Sequence, residues 1–164
     1  MKKKIIIISL IIIILLIIIP LPFLAKKTLK ALDIQQLANK ISITLPKNAE
    51  ITKIQDTTGF HGDGIKIYKV SLNQKQFKSI EKQVKTSWNK GKLSDEIDNV
   101  IYLGLDVKEY EKKYKEKILL PKINNGYWFL KSEHNKSLEE DSSDFYLGVY
   151  DKENGLLYLY ESHS

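Results

Sequence analysis

No cysteine and no arginine occur in the 164 residues. Without cysteine there is no disulfide framework, so a domain outside the cell must hold itself together by packing. A lipid-modified cysteine is excluded as well. Without arginine the preferred bidentate reader of phosphate and guanine is missing, and no nucleic-acid partner is expected. Catalytic signatures are scarce. The chain has no serine nucleophile elbow, no phosphate-cradling glycine-rich loop and no HExxH. Residues 28–164 contain no internal repeat and no low-complexity tract.

What is present begins with isoleucine. Ile5 to Ile19 contain only Ile, Leu and one Ser, after Met1-Lys2-Lys3-Lys4. The uncharged run continues to Ala25 and ends at Lys26-Lys27. As a helix it spans roughly 31 Å, close to the hydrocarbon thickness of a bilayer. Pro20 and Pro22 fall near its far end, where they terminate a helix rather than break it. The expectation is a retained membrane anchor over 5–25, with the N-terminus cytoplasmic and the rest outside. The alternative is a cleaved signal peptide, which would leave the chain secreted. A signal core is usually shorter, and bulky Phe23 stands where cleavage wants a small residue.

The anchor accounts for most of the net charge. The whole chain is +6, and Lys2, Lys3, Lys4, Lys26 and Lys27 flank the apolar run. Residues 28–164 hold twenty-one lysines against twenty acids. Within them, 28–131 sum to +7 and 132–164 to −6. Two parts of one domain lying against each other explain that split. An acidic surface that attracts cations or a basic partner would also produce it.

The expected organisation is a cytoplasmic tail (1–4), a transmembrane helix (5–25), a juxtamembrane helix and linker (26–48) and an extracytoplasmic domain (49–164). Residues 28–41 show mainly helical spacing. Strands are expected at 49–57 and 65–72, around the turn-rich stretch Gly59 to Gly64. Asn73 with Gln76 reads as a capping box, followed by the stripe Phe77, Ile80, Val84 and Trp88, with Gly91 as the stop. Ser94 begins a weaker helical segment, and Asp106 with Glu109 begins another that Pro121 bars from continuing. Strands return at Tyr127–Leu130, Phe145–Tyr150 and Leu156–Tyr160, the last two around an Asn-Gly turn. The order β-β-α-α-β-β-β predicts an α+β domain with a mainly antiparallel sheet.

The segment Asp56-Thr57-Thr58-Gly59-Phe60-His61-Gly62-Asp63-Gly64 is the main candidate site. Asp56, His61 and Asp63 are residue types that ligate a divalent metal, and a His-Asp pair suits general acid–base work. A plain hairpin loop explains the same residues: glycines supply positive φ, and Asp63-Gly64 makes a tight turn. No metal-site spacing is matched. His134, beside Glu133, joins His61 and Asp63 as a catalytic candidate if the sheet brings them together; alone it reads as a solvated loop residue. His163 reads as a frayed end. The aromatic residues Tyr127, Trp128, Phe129, Tyr146, Tyr150, Tyr158 and Tyr160 either pack within the sheet or expose a face able to stack on sugars.

The loop Asp56–Gly64 and the tail Tyr127-Trp128-Phe129, His134, Phe145 to Asp151 and Leu157 to Tyr160 resemble uncharacterised proteins of low-GC Gram-positive bacteria. Those proteins carry a D-T-H-G-G-F-H-G-D-G-like loop and a tyrosine-rich closing hairpin. The loop here is one residue shorter and has Thr58 where a His would stand. Lys131-Ser132-Glu133-His134 replaces a D-R-H run. The resemblance implies no known activity, cofactor or substrate.

Three functions are consistent with these features. The first is a non-enzymatic, membrane-anchored binding module for a cell-wall component or another exported protein. The second is a metal-dependent or acid–base enzyme using the His61-Gly62-Asp63-Gly64 loop. The third is a small membrane protein giving immunity to a secreted peptide.

Overall fold

A computed structural model of the chain describes residues 32–102, 108, 112, 113, 119–134, 138 and 144–163. The apolar run 5–25 and most of the helical segment expected after Asp106 lie outside the described residues. Among the described residues no helix is long and apolar enough to cross a membrane. The chain divides into two compact units, Met1–Gln36 and Leu37–Ser164. The fold described below is that of the second unit.

Helix α1 covers 32–40. It stops through a reversal in which Ser42 adopts φ 64°, the Ser42 N–H donates to Asn39 O (3.1 Å) and the Ile43 N–H donates to Ala38 O (3.1 Å). This is a Schellman closure with serine in the position that glycine usually takes. Leu37, Ala38, Ile41, Ile43 and Leu45 are buried, so residues read from sequence as juxtamembrane helix and linker contribute to the core.

The antiparallel hairpin β1 (Glu50–Asp56) and β2 (Gly64–Ser71) follows. Its register shifts between Lys53 and Gln55, a bulge in the edge strand. Helix α2 (Gln74–Ser87) starts as its sequence dictates. The Asn73 side chain accepts from the N–H groups of Lys75 (3.1 Å) and Gln76 (3.0 Å), and the Gln76 side chain accepts from the Asn73 N–H (2.9 Å). Three backbone N–H groups at the helix start are thereby satisfied. The helix ends at Trp88 rather than continuing to Gly91. There the chain turns extended and forms a two-residue strand, β3 (Asn89–Lys90), that periodicity does not reveal. Helix α3 (Asp95–Tyr102) begins after Ser94, with Asp95, Glu96 and Asp98 in its first turn, where negative charge complements the helix dipole. Strands β4 (Gly126–Ser132), β5 (Phe145–Asp151) and β6 (Leu156–His163) complete the described elements.

The six strands form one antiparallel sheet in the order β1-β2-β6-β5-β4-β3, which establishes the α+β class. Both faces are covered. On one face, α2 and the end of α1 pack over Gly148. The Trp88 indole lies there and donates to Ile41 O (2.9 Å). A β-carbon on Gly148 would strike Trp88 and come within 2.7 Å of Ile41 Cδ1, so the strand must be bare at that point. On the other face, Ile67, Phe145, Leu147, Val149, Tyr158 and Tyr160 pack with Leu93, Ile97, Tyr102, Leu120, Ile123 and Leu138. Every residue of β5 is buried, as a strand covered on both sides requires. Tyr127, Tyr146, Tyr150, Tyr158 and Tyr160 are all buried. These tyrosines serve packing on both faces and present no sugar-stacking surface.

Candidate functional site

Antiparallel pairing gathers several strand ends along one end of the sheet. Gly64, where β2 begins, pairs with His163 at the end of β6. Phe145, where β5 begins, pairs with Ser162 and with Ser132 at the end of β4. The loop at 57–63 and the turn at Glu133-His134 therefore occupy the same end.

The loop is braced at its base. The Thr57 N–H donates to Ile65 O (2.9 Å), the Ile65 N–H donates to the Thr57 hydroxyl (2.9 Å), and the Gly59 N–H donates to Asp63 O (2.8 Å). Asp56 accepts from the Lys53 ammonium and from both the N–H (3.2 Å) and hydroxyl (2.6 Å) of Thr58. These bonds, Lys53 first, hold its carboxyl well below the usual carboxylate range. Asp56 thus acts as a loop brace. Gly62 and Gly64 take φ of 91° and 133°, and a β-carbon on Gly64 would come within 2.6 Å of Thr57 O. Above this base the tip projects: Phe60 is 100% exposed, and His61, Gly62 and Asp63 are exposed beside it. The Phe60 and His61 rings meet edge to face with centroids 5.5 Å apart.

Three strand spacings of ~4.8 Å separate β2 from β4, so the strand ends that carry His61 and His134 stand roughly 14 Å apart. The imidazole between them is His163. Strand β6 runs through His163, so this residue is paired rather than frayed. Its Nδ1 lies 3.2 Å from Asp144 Oδ1, and its Nε2 lies 2.9 Å from Glu161 Oε1. Glu161 also meets Lys66 at 3.5 Å. His134 Nδ1 lies 3.9 Å from Asp144 Oδ2.

Alongside, Glu133 Oε1 accepts from the Tyr146 hydroxyl and from Lys40 Nζ (2.9 Å). The ammonium also lies 4.8 Å from the centre of the Tyr146 ring. The Tyr146 hydroxyl bond, followed by Lys40, holds Glu133 at about 2 instead of its ordinary 4.5. Burial first, and then the bond to Glu133, pushes Tyr146 up to about 12. Lys40 is raised, chiefly by its bond to Glu133.

The sheet thus brings His134 together with Asp144, whereas His61 and Asp63 remain on the projecting loop. Asp144, Glu161, Glu133 and Lys40 carry no motif in the sequence, His163 reads there as a frayed end, and Tyr146 reads as one of several strand aromatics. One signal was readable. Counting outward from Asp151 opposite Leu156 places Asp144 opposite His163, and two-residue alternation puts Glu161 on the same face. Among the described residues, no three His, Asp or Glu side chains are already grouped to hold a metal ion. No protein-family model, curated protein or solved structure matches the chain.

Proposed function

We propose that the chain is a membrane-tethered, extracytoplasmic binding module whose contact surface is the loop at 57–63. The observation that carries this reading is the fully exposed Phe60 ring on a braced base, with His61 and Asp63 exposed beside it. An aromatic anchor flanked by hydrogen-bonding groups is the common form of a binding hot spot. Splayed side chains favour contact with a partner over acid–base chemistry, which needs groups converging on one reacting atom. The tether rests on the uncharged run 5–25 and its lysine flanks. The partner such a tethered surface would meet is a cell-wall component or another exported protein.

The absence of cysteine makes the test clean. A Phe60→Cys variant of the full chain is treated in intact cells with a membrane-impermeant maleimide. Labelling at position 60 is expected, with a Val84→Cys control silent because Val84 is fully buried. Labelling of position 60 only after lysis would refute the reading.

A further inference from the structure

We propose that His163, Asp144 and His134 form a binding site for a divalent transition-metal cation of the zinc class, with Glu161 orienting His163. The site uses different residues from the loop surface at 57–63, and it stands or falls separately.

A neutral imidazole has one donor nitrogen and one acceptor nitrogen. His163 directs both towards carboxylate oxygens, Asp144 at 3.2 Å and Glu161 at 2.9 Å. If Nε2 donates to Glu161, the lone pair of Nδ1 faces the lone pairs of Asp144. A cation between Nδ1 and Oδ1 turns that repulsion into two coordinate bonds. Ligand atoms of a tetrahedral zinc, with bonds of 2.0–2.1 Å, stand about 3.3 Å apart, and Nδ1 and Oδ1 already match this spacing. His134 Nδ1 is 3.9 Å from the other Asp144 oxygen. Its side chain is 53% exposed, so a rotation of the ring towards Asp144 closes the set.

The surroundings fit a metal ligand. A coordinating histidine ordinarily gives its second N–H to a carboxylate, which fixes its tautomer and raises its basicity. Glu161 is placed for that role, and Lys66 at 3.5 Å steadies it. Glu161 pairs with Lys66 and Glu133 with Lys40, while Asp144 lies against both imidazoles. Two imidazoles with one carboxylate select a borderline first-row cation over calcium or magnesium, and leave a position for water.

The full chain in detergent micelles, stripped with a chelator, is titrated calorimetrically with zinc chloride. Binding of one zinc per chain is expected. His163→Asn and Asp144→Asn should weaken it by more than about 100-fold, and His134→Asn and Glu161→Gln by roughly 10–100-fold. His61→Asn should bind as the parent does. His134→Asn is the decisive variant, because its half-exposed side chain can change without unfolding the sheet. Absence of zinc binding by the parent would overturn the proposal. Equal affinity in the parent, His134→Asn and His163→Asn would also overturn it, as would a loss confined to His61→Asn.

Discussion

The turn at 152–155 and the loop at 57–63 close hairpins at opposite ends of one sheet, and both are anchored by an aspartate. In the turn, Asp151 is buried and accepts from Glu153 N–H (3.0 Å), Asn154 N–H (3.1 Å) and Asn154 Nδ2 (2.7 Å). Gly155, at φ 65°, lies under the Phe77 ring. This hairpin directs its bonding inward. In the loop, Asp56 braces the base but leaves Phe60, His61 and Asp63 facing solvent. Leaving the Phe60 ring in water forgoes about 1.5–3 kcal/mol that burial would contribute. Similar turn chemistry therefore yields a structural corner at one end and a projecting, exposed tip at the other.

That contrast can be tested by substitution. Asp151→Ala removes three hydrogen bonds to a buried carboxylate and should cost about 1.5–3 kcal/mol in denaturant unfolding. Asp56→Ala should cost clearly less, because water reaches its partners. Equal losses would mean that the two corners are not different in kind.

The second test uses pH and belongs to the loop end of the sheet. Glu133 is depressed from 4.5 to about 2 on folding, so its contribution is fully present above pH 4.5. It is lost as pH falls through about 2. Tyr146, raised from 10 to about 12, behaves conversely: its contribution is present below pH 10 and lost as pH rises through about 12. Glu133→Gln should flatten the acid limb of a stability–pH curve. An unchanged acid limb would show that the Lys40–Glu133–Tyr146 group does not couple to folding. The smallest effect is expected for Phe60→Ala, within about 0.5 kcal/mol of the parent because the ring touches no core. A larger loss would mean that Phe60 is a packing residue after all.

The elements that local chemistry specifies were legible from the sequence. The Asn73–Gln76 box, the Ile80–Val84–Trp88 stripe and the Asn154-Gly155 turn each depend on neighbours within a few residues. Strand β3 was not legible. It is two residues long and exists because β4 offers an edge after Trp88 has turned into the core. The burial of Ile41 depends on Trp88 and on Gly148 of β5, which lie far along the chain. The sheet-end groups were hidden for the same reason. Lys40 meets Glu133 across 93 positions, and His163 meets Asp144 across 19. Composition drew attention to the glycine-rich loop, whereas register assembled the imidazole and carboxylates beside it.

Cross-linking from the two hairpins of the full chain in its own membrane compares them most directly. A photoreactive phenylalanine analogue at position 60 and the same residue at exposed position 153 report each end in turn. A discrete adduct is expected from position 60 and none from position 153. Equal adducts from both positions, or none from position 60, would contradict the assignment of the loop as the contact surface.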